Sequence, residues 1–298
     1  MSGGQAGIAA PFPTTMVGGV ELSRMLCGSN TFFGYSHFSQ ARSTWLRRYF
    51  TEERILEVLR RAAELGITGV VAPPEPRMPG LLRRLREETG LSMHYIATPG
   101  KATAQETLPD IDWCAQAKAT VCMLHPTFTD RHLHGGTGEI TDVEALLGRI
   151  RTLGMVPGLC THRPETLPAV TAAGYDVEVF ILPLNVAGFL MPLETDWQGR
   201  IIRQTPKPVI CIKPLAAGRV MPPSGIPFVY QYAKPTDMMC IGMLSPEEVE
   251  EDVAIALAAL TGQAVELELP VTRSKEIYLR RQKKEAGKTA ETEKTARK

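Results

Sequence analysis

The hydrophobic positions of the chain follow two alternating patterns. Short apolar runs without polar alternation, such as VICI at 209–212, are typical of strands that are buried on both faces. Longer segments place apolar residues at helical spacing: the segment after Thr51 carries Ile55, Leu56 and Leu59 on one side and ends at Gly66. Because strand patterns and helix patterns take turns along most of the chain, they predict parallel strands joined by helices.

The unit of one strand and one helix occurs eight times. The predicted strands lie at 25–29, 67–72, 93–98, 120–124, 155–160, 177–182, 209–212 and 238–241. The helices predicted to follow them lie at 51–66, 79–89, 104–117, 141–153, 164–174, 193–204, 227–233 and 246–260. Eight such units within about 240 residues predict a single-domain α/β protein, a (β/α)8 TIM barrel. We expect the barrel over residues 22–262, a flexible segment over 1–21, and a charged, partly disordered extension over 263–298.

The composition and the charge limit the cellular compartments and the binding partners that we expect for this protein. Hydrophobic residues make up 44% of the chain, and the six cysteines show no spacing typical of zinc sites, so we expect reduced thiols and a cytoplasmic location. No apolar run is long enough to cross a membrane. The net charge is +1, but residues 273–298 hold ten Lys and Arg against four Glu, or +6, which leaves −5 for the rest. Nucleic acid is therefore not expected as a partner, and the oligomeric state stays open.

Polar side chains follow several predicted strands at the carboxyl end, where barrel enzymes hold their active sites. They are Asn30, His125, His162, Asn185 and Lys213. A histidine can give or take a proton near neutral pH, so His125 and His162 are candidate general acids or bases. For His162, a role in a helix-capping turn is an equally good interpretation.

Lys213 stands between a buried strand and a turn of small residues. A lysine that is desolvated beside apolar strands has a lowered pKa and can form a Schiff base with a carbonyl compound. Two other roles remain open for this side chain: an anchor for an anionic substrate, or one partner of an ion pair at the barrel rim.

The connection after the first strand is unusually aromatic and predicts a lid or pocket wall over the mouth. Substrate contacts are expected from Asn30, Phe32, His37 and Trp45. Packing of this loop against a neighbouring subunit is the alternative. A second cluster, which includes Asp130, His132 and His134, offers possible ligands for zinc or iron. Since a glycine-rich loop follows these histidines, a solvated loop is favoured and no metal is expected.

Six sequence blocks occur in a recognisable order: MLCGSN at 25–30, MLH at 123–125, RTLGMVPGLCTH at 151–162, LN at 184–185, PLAAG at 214–218 and GMLSPEEVEED at 242–252. Together they resemble the aldo/keto reductase superfamily over residues 22–262. The resemblance implies a barrel that binds a nicotinamide cofactor and acts on a carbonyl group. It also implies a catalytic role for His125 and for Lys101, which is displaced by a few positions from the family's lysine.

The resemblance further implies cofactor contacts from the later strand ends and the last helix, namely Asn185, Pro214, Leu215, Ala216, Gly218, Gly242, Ser245 and Asp252. Backbone N–H groups of the turn and of the helix start are suited to a phosphate. Glu248 near the start of the last helix would repel the 2′-phosphate of NADP. NAD therefore remains possible as a cofactor, and NADP is not expected.

Two members of the family's catalytic set are missing. Reductases of the family use an Asp and a Tyr after the second strand, where this chain has Val71 and Pro76. The expected function is an aldo/keto-reductase-like enzyme with a non-standard active site that acts on a small carbonyl compound. Its candidate catalytic residues are His125, Lys213, Lys101, His162 and Tyr35, of which Tyr35 is a candidate for the missing proton donor. A Schiff-base lyase or aldolase built on Lys213 and a non-catalytic ligand-binding barrel are the alternatives.

Overall fold

The structure is a computed structural model that describes residues 12–263, 272 and 274–278. Residues 12–263 belong to one compact unit. Most of the extension expected over 263–298 lies outside the described residues; in it, residues 274–278 form a short helical turn in which Thr272 caps the N–H of Lys275. Among the helices of the described residues, none is both long and apolar enough to cross a membrane.

Eight parallel strands close into a barrel, which confirms the predicted (β/α)8 fold. The strands are β3 (Met25–Gly28), β4 (Gly69–Ala72), β5 (His94–Ala97), β6 (Val121–Leu124), β7 (Val156–Cys160), β8 (Val179–Pro183), β9 (Val209–Ile212) and β10 (Met238–Ile241). Each strand pairs with the next in sequence, and β10 pairs with both β9 and β3. Their side chains are almost all buried because the barrel interior covers one face and the helices cover the other.

The helices are α1 (Gln40–Tyr49), α2 (Glu52–Glu64), α3 (Arg77–Thr89), α4 (Ala104–Gln116), α5 (Pro126–His132), α6 (Val143–Thr152), α7 (Thr166–Ala173), α8 (Thr195–Gln204), α9 (Pro222–Tyr232) and α10 (Pro246–Thr261). Capping residues define the ends of several of these helices. Thr103 and Glu106 form a capping box at α4, and Ser245 caps α10, which ends at Gly262 in the left-handed conformation.

A short antiparallel hairpin precedes the barrel, with β1 at Thr14–Val17 and β2 at Val20–Ser23. Val17 and Leu22 pack in one core cluster with residues that begin barrel strands, including Val156 and Met238. The hairpin therefore covers the amino-terminal opening of the barrel. Most of this hairpin lies within the segment 1–21, which the sequence predicted to be flexible, and the sequence did not predict the hairpin. Residues 1–11 lie outside the described part of the chain.

Two connections differ from the sequence prediction. The aromatic segment after β3 contains helix α1, which Ser39 caps by accepting a hydrogen bond from the N–H of Arg42. The stretch expected to be a solvated loop after β6 contains helix α5, which begins at Pro126 with His125 as its cap. Each helix buries an apolar residue beneath it, Leu46 in α1 and Phe128 in α5.

Candidate functional site

The carboxyl-terminal mouth of the barrel brings together four of the predicted site residues that carry cationic or imidazole side chains. Lys213 follows β9, His162 follows β7, His125 follows β6, and His37 lies in the loop after β3. The charge of Lys213 acts on both His37 and His125, and so does that of His162. The four side chains therefore share one site, although they come from distant parts of the sequence.

Lys213 is the central amine of this site. Its backbone has a left-handed conformation, with φ of 62°. Burial lowers the pKa of its ammonium group. The Nζ atom forms no hydrogen bond and no ion pair with any residue between 12 and 263. An amine in this setting favours the neutral form more than an ordinary lysine does, so it is more nucleophilic near neutral pH.

The floor beneath Lys213 contains two thiols from different strands of the barrel. Cys160 of β7 and Cys240 of β10 are both buried in the core cluster of the barrel interior. Burial raises the pKa of Cys240 to about 12, and the charge of Lys213 opposes the rise. The pKa of Cys160 is also raised, and burial is the largest cause. Both groups therefore stay protonated at neutral pH and supply an apolar floor rather than a counter-charge for Lys213.

His162 is oriented by a carboxylate. The Nδ1 atom of His162 lies 3.5 Å from Oδ2 of Asp130, a residue of α5. That carboxylate also accepts hydrogen bonds from the backbone N–H of His162 at 3.0 Å and from Oγ1 of Thr161 at 2.5 Å. A carboxylate fixed in this way orients the imidazole and leaves its Nε2 atom available for proton transfer.

Asp130 is a functional candidate whose positioning role the sequence reasoning missed, since it was considered only as a possible metal ligand. The available signal was its place on a segment that directly follows β6. In a barrel, that segment lies next to the end of the neighbouring strand β7, where His162 is located.

His125 combines a capping role with a place in the mouth. Its Nδ1 atom accepts a hydrogen bond from the N–H of Thr127 at 3.2 Å, which assigns the proton of the neutral ring to Nε2. Burial first, and then the charges of His162 and Lys213, lower the pKa of His125, while Asp130 opposes them. A Cβ atom at Gly100 would lie 2.7 Å from the Cβ of His125, so the glycine lets the neighbouring loop approach the histidine closely.

His37 closes the mouth from the loop after β3. Its Nε2 atom lies 3.4 Å from Nδ2 of Asn30, so these two predicted substrate contacts are neighbours. Burial, and then the charges of Lys213 and His162, lower the pKa of His37 to about 4. His37 is open to the mouth, yet the surrounding protein removes enough water to disfavour its charged form. It is therefore a neutral imidazole at physiological pH.

The other aromatic candidates of this loop have different surroundings. Phe32 is 1% exposed and packs edge-on against Phe50, so it belongs to the core and not to the substrate surface. Trp45 lies on α1 and stacks on Tyr49 with ring centroids 4.7 Å apart. Tyr35 is 55% exposed, and its hydroxyl group has no hydrogen-bond partner in the described part of the chain.

Lys101 does not join Lys213. Its Nζ atom lies 3.6 Å from Oδ2 of Asp110 on α4, and the side chain is largely exposed. Its backbone N–H donates to Thr107, which holds the start of α4. The displacement of this lysine in the sequence thus corresponds to a displacement in space, and the expected catalytic role has no support in its contacts.

The predicted cofactor contacts are mostly used within the protein. The amide group of Asn185 donates to the carbonyl of Phe189 and accepts from its N–H, so it closes the loop after β8. In the turn formed by Pro214, Leu215, Ala216 and Gly218, the N–H groups of Ala216 and Gly218 donate to the carbonyls of Lys213 and Leu215. These two N–H groups are not available to a phosphate.

The start of α10 is also occupied. Oγ of Ser245 accepts from the N–H of Glu248, and the carboxylate of Glu248 accepts from the N–H of Leu244 at 2.8 Å. The glutamate thus takes the place that an anion would take at a helix N-terminus. Gly242 is exposed beside Thr31, whereas Asp252 is 3% exposed beneath the helix. The predicted phosphate contacts of a nicotinamide dinucleotide therefore do not fit these two elements.

The histidines of the second cluster are held apart. His132 stacks on Phe128 and contacts the carbonyl of Ala102 at 2.9 Å, while His134 contacts Thr141 at 2.8 Å. Within the described residues there is no group of three or more His, Cys, Asp and Glu side chains suited to hold a metal ion.

Comparisons with known proteins connect this chain to aldo/keto reductases through the fold. No protein-family model matches the sequence, and the search of curated proteins found no match. A protein from Pseudomonas aeruginosa assigned as an aldo-keto reductase superimposes with a TM-score of 0.62 at 16% identity, over 86% of this chain and 99% of that chain.

A protein assigned as 2,5-diketo-D-gluconic acid reductase B gives a TM-score of 0.56 at 11% identity, over 87% of this chain and 95% of its own. An aldo/keto reductase from Klebsiella pneumoniae, solved in complex with NADP and acetate, gives 0.53 at 13% identity, over 91% and 95%. The preference for NAD over NADP that the sequence suggested has no support in these likenesses. At such low identity they show the architecture alone: this chain has a (β/α)8 barrel that resembles the barrels of aldo/keto reductases.

Proposed function

We propose that this protein is an enzyme that acts on a small carbonyl compound through an imine formed by Lys213. The observation that carries the proposal is the state of that amine: it is desolvated, its pKa is lowered, and its Nζ atom has no partner among residues 12–263. A structural lysine at a barrel rim would be paired with a carboxylate, as Lys101 is with Asp110. An unpaired amine above an apolar floor is instead suited to attack a carbonyl carbon.

The reaction needs proton transfers at two points, and the mouth contains groups for both. The neutral amine of Lys213 adds to the carbonyl carbon; the nitrogen then loses one proton and the former carbonyl oxygen gains one, which gives a neutral carbinolamine. Loss of water from the carbinolamine, with a second proton delivered to the leaving hydroxyl, gives the protonated imine. His162, oriented by Asp130, is the group best placed to move these protons. The imine then withdraws electrons from the neighbouring bond, which is the basis of lyase and aldolase chemistry.

His125 supplies a neutral hydrogen-bond donor to the same mouth. With Nδ1 accepting from Thr127, its Nε2–H can donate to the carbonyl oxygen and polarise it. Its lowered pKa keeps the ring neutral, so that it does not add a further charge beside Lys213.

A nicotinamide-dependent reductase is the second candidate, and the observation that favours it is this position of His125 at the end of β6 in an aldo/keto-reductase-like barrel. The contacts expected for the cofactor's phosphates do not support it, because Glu248 and the turn's own carbonyl groups occupy them. Titration of the purified protein with NADH and NADPH, followed by nicotinamide fluorescence, tests this candidate. Tight binding of either cofactor, with reduction of an aldehyde, would favour it over the imine.

The imine is tested by reductive trapping. Purified protein is incubated with pyruvate, glyoxylate or glyceraldehyde and with cyanoborohydride, and the intact mass and the modified peptide are determined. We expect one adduct per chain on Lys213, formed much faster than on any other lysine.

The matched control pair is Lys213→Met and Lys118→Met. Both lysines have a left-handed backbone, with φ of 62° and 58°, but Lys118 lies in the exposed connection between α4 and β6. Lys213→Met should abolish the fast adduct and Lys118→Met should retain it. If neither variant changes the adduct pattern, or if no carbonyl compound is trapped while a ligand still binds the mouth, the protein is a binding barrel and not an imine-forming enzyme.

A further inference from the structure

We propose that Arg42 and Arg219 form a binding site for a phosphate group carried by the carbonyl substrate. The proposal names the substrate class of the mouth described above and rests on the proposed function for the carbonyl part of the ligand. The phosphate site itself can be tested without any catalytic step.

One aromatic ring holds both arginines at the mouth. The guanidinium of Arg42 lies 5.2 Å from the ring centroid of Phe38, and that of Arg219 lies 5.1 Å from the same centroid. Arg219 also lies 4.5 Å from the ring centroid of Phe189, in the loop after β8. Stacking on aromatic faces restrains the planar guanidinium groups while it leaves their edge N–H donors free.

Most of those donors have no partner. Arg219 donates one hydrogen bond, from Nη1 to the carbonyl of Ala216 at 2.9 Å. The side chain of Arg42 donates none within residues 12–263, and neither guanidinium has a carboxylate within 4.0 Å in that part of the chain. The charge of Arg42 acts on one acidic group, Glu248. The carboxylate of Glu248 already accepts a hydrogen bond from the N–H of Leu244.

Two other arginines on the same side of the barrel are paired with carboxylates. Arg77 lies 3.0 Å from the carboxylate of Glu75, and Arg163 lies 2.8 Å from that of Glu165. Arg42 and Arg219 differ from these two arginines in having no carboxylate within ion-pair distance among residues 12–263.

Short stretches of chain connect the pair to the reactive amine. Phe38 directly follows His37, whose imidazole interacts with Lys213. Arg219 belongs to the turn that begins at Lys213, in which the N–H of Ala216 donates to the carbonyl of Lys213 at 2.9 Å. A ligand anchored by the arginines would thus extend along this turn toward the amine.

The charge balance favours phosphate over carboxylate. Two guanidinium groups held by the same ring offer two positive charges and several N–H donors in planar forks, a donor set suited to the oxygens of a phosphate dianion. A carboxylate carries one charge and two oxygens, so it would leave part of this donor set unused. The expected substrate is therefore a small phosphorylated aldehyde or ketone.

Isothermal titration calorimetry with inorganic phosphate tests the site on the full chain. We compare the wild type with Arg42→Gln, Arg219→Gln and the double variant, and use Arg86→Gln as the control. Arg86 is an exposed arginine in the last turn of α3, which runs away from the mouth. Each single substitution at the site should weaken phosphate binding about tenfold, the effect of one charge-assisted hydrogen-bonding group. The control should bind phosphate like the wild type.

Three further arms separate the sources of the anion. Acetate should bind at least about tenfold more weakly than phosphate if the dianion is recognised, and equal binding would overturn the assignment to phosphate. Glyceraldehyde 3-phosphate should displace inorganic phosphate and should be trapped on Lys213 faster than glyceraldehyde. Displacement by NADP but not by glyceraldehyde 3-phosphate would assign the site to a cofactor and would also overturn the proposal.

The variants also separate this proposal from the proposed function. Lys213→Met should keep phosphate binding while it loses imine trapping. If the wild type binds phosphate but forms no imine, only the proposed enzyme mechanism is refuted. Phosphate binding that is unchanged in both arginine variants, or reduced equally by Arg86→Gln, sinks the arginine site alone. If Arg219→Gln does not fold, Arg42→Gln carries the test, because its side chain makes no hydrogen bond within residues 12–263.

Discussion

Asp252 offers a direct test of the electrostatics around α10. Its carboxyl is 3% exposed on the inner face of the helix and forms no hydrogen bond with the described residues. Burial, followed by the negative charges of Glu248 and Glu251, raises the pKa of Asp252 from 3.8 to about 8. The folded protein therefore holds this proton over a range of pH in which the unfolded chain releases it.

The sign and size of the effect follow from that difference. Because the folded-state pKa is raised, the stability contribution is fully present below pH 3.8 and is lost as the pH rises to about 8. The loss is about 1.36 kcal/mol per pH unit within this window, or roughly 4 kcal/mol between pH 3.8 and pH 7. Between pH 5 and pH 7 the loss amounts to about 2.5 kcal/mol.

The substitution Asp252→Asn removes the titration and keeps the shape of the side chain. The free energy of unfolding of the variant, relative to the wild type, should rise by about 2.5 kcal/mol from pH 5 to pH 7. Urea unfolding followed by circular dichroism at both pH values measures it, with Glu139→Gln at an exposed site as the control. A difference between Asp252→Asn and the wild type that does not change with pH would refute the assignment of a buried, protonated carboxyl.

Three further substitutions test the hairpin, the barrel interior and the oriented histidine. Leu22→Ala removes a fully buried side chain of the hairpin and should lower the free energy of unfolding by about 2–5 kcal/mol; a change near zero in urea unfolding would show that the hairpin does not stabilise the barrel. Gly158→Ala would place a Cβ atom 2.8 Å from the carbonyl of Val179 and 2.9 Å from the side chain of Met123, and should cost about 1–3 kcal/mol; an unchanged melting temperature would contradict this packing. Asp130→Asn should slow imine trapping about tenfold or more and shift its pH profile, with phosphate binding unaltered; an unchanged profile would exclude Asp130 as the residue that positions His162.

The architecture was readable from the sequence because each strand is a short apolar run and each helix has a periodic face. The hairpin was not, since β1 and β2 are four residues each and carry exposed Thr14 and Glu21 beside the buried Val17 and Leu22. Only their contact with the barrel interior makes them strands rather than a polar leader. Whether so short a segment forms a strand depends on its tertiary contacts, and the local sequence pattern does not reveal those contacts.

The candidate site was predictable where it depends on strand ends and was not where it depends on loops. His125, His162 and Lys213 follow β6, β7 and β9, and the barrel brings these ends together by symmetry. Asp130 and Arg219 lie beyond the strands, in α5 and in the turn after β9, where their side-chain directions depend on local backbone geometry. The same limit explains Lys101, whose position in the sequence suggested the mouth but whose partner is Asp110 on α4.

The turn that begins at Lys213 keeps three residues other than glycine in the left-handed conformation: Lys213 at φ 62°, Ala216 at 49° and Ala217 at 58°. Each costs roughly 1–2 kcal/mol that a glycine would not. At position 213 glycine would relax the backbone but remove the amine. Glycine at this position should therefore raise the free energy of unfolding by about 1–2 kcal/mol, and it would remove the group on which the proposed imine depends. A search for stabilised variants of this protein should recover Lys213→Gly, and such variants should be the ones that no longer react with carbonyl compounds.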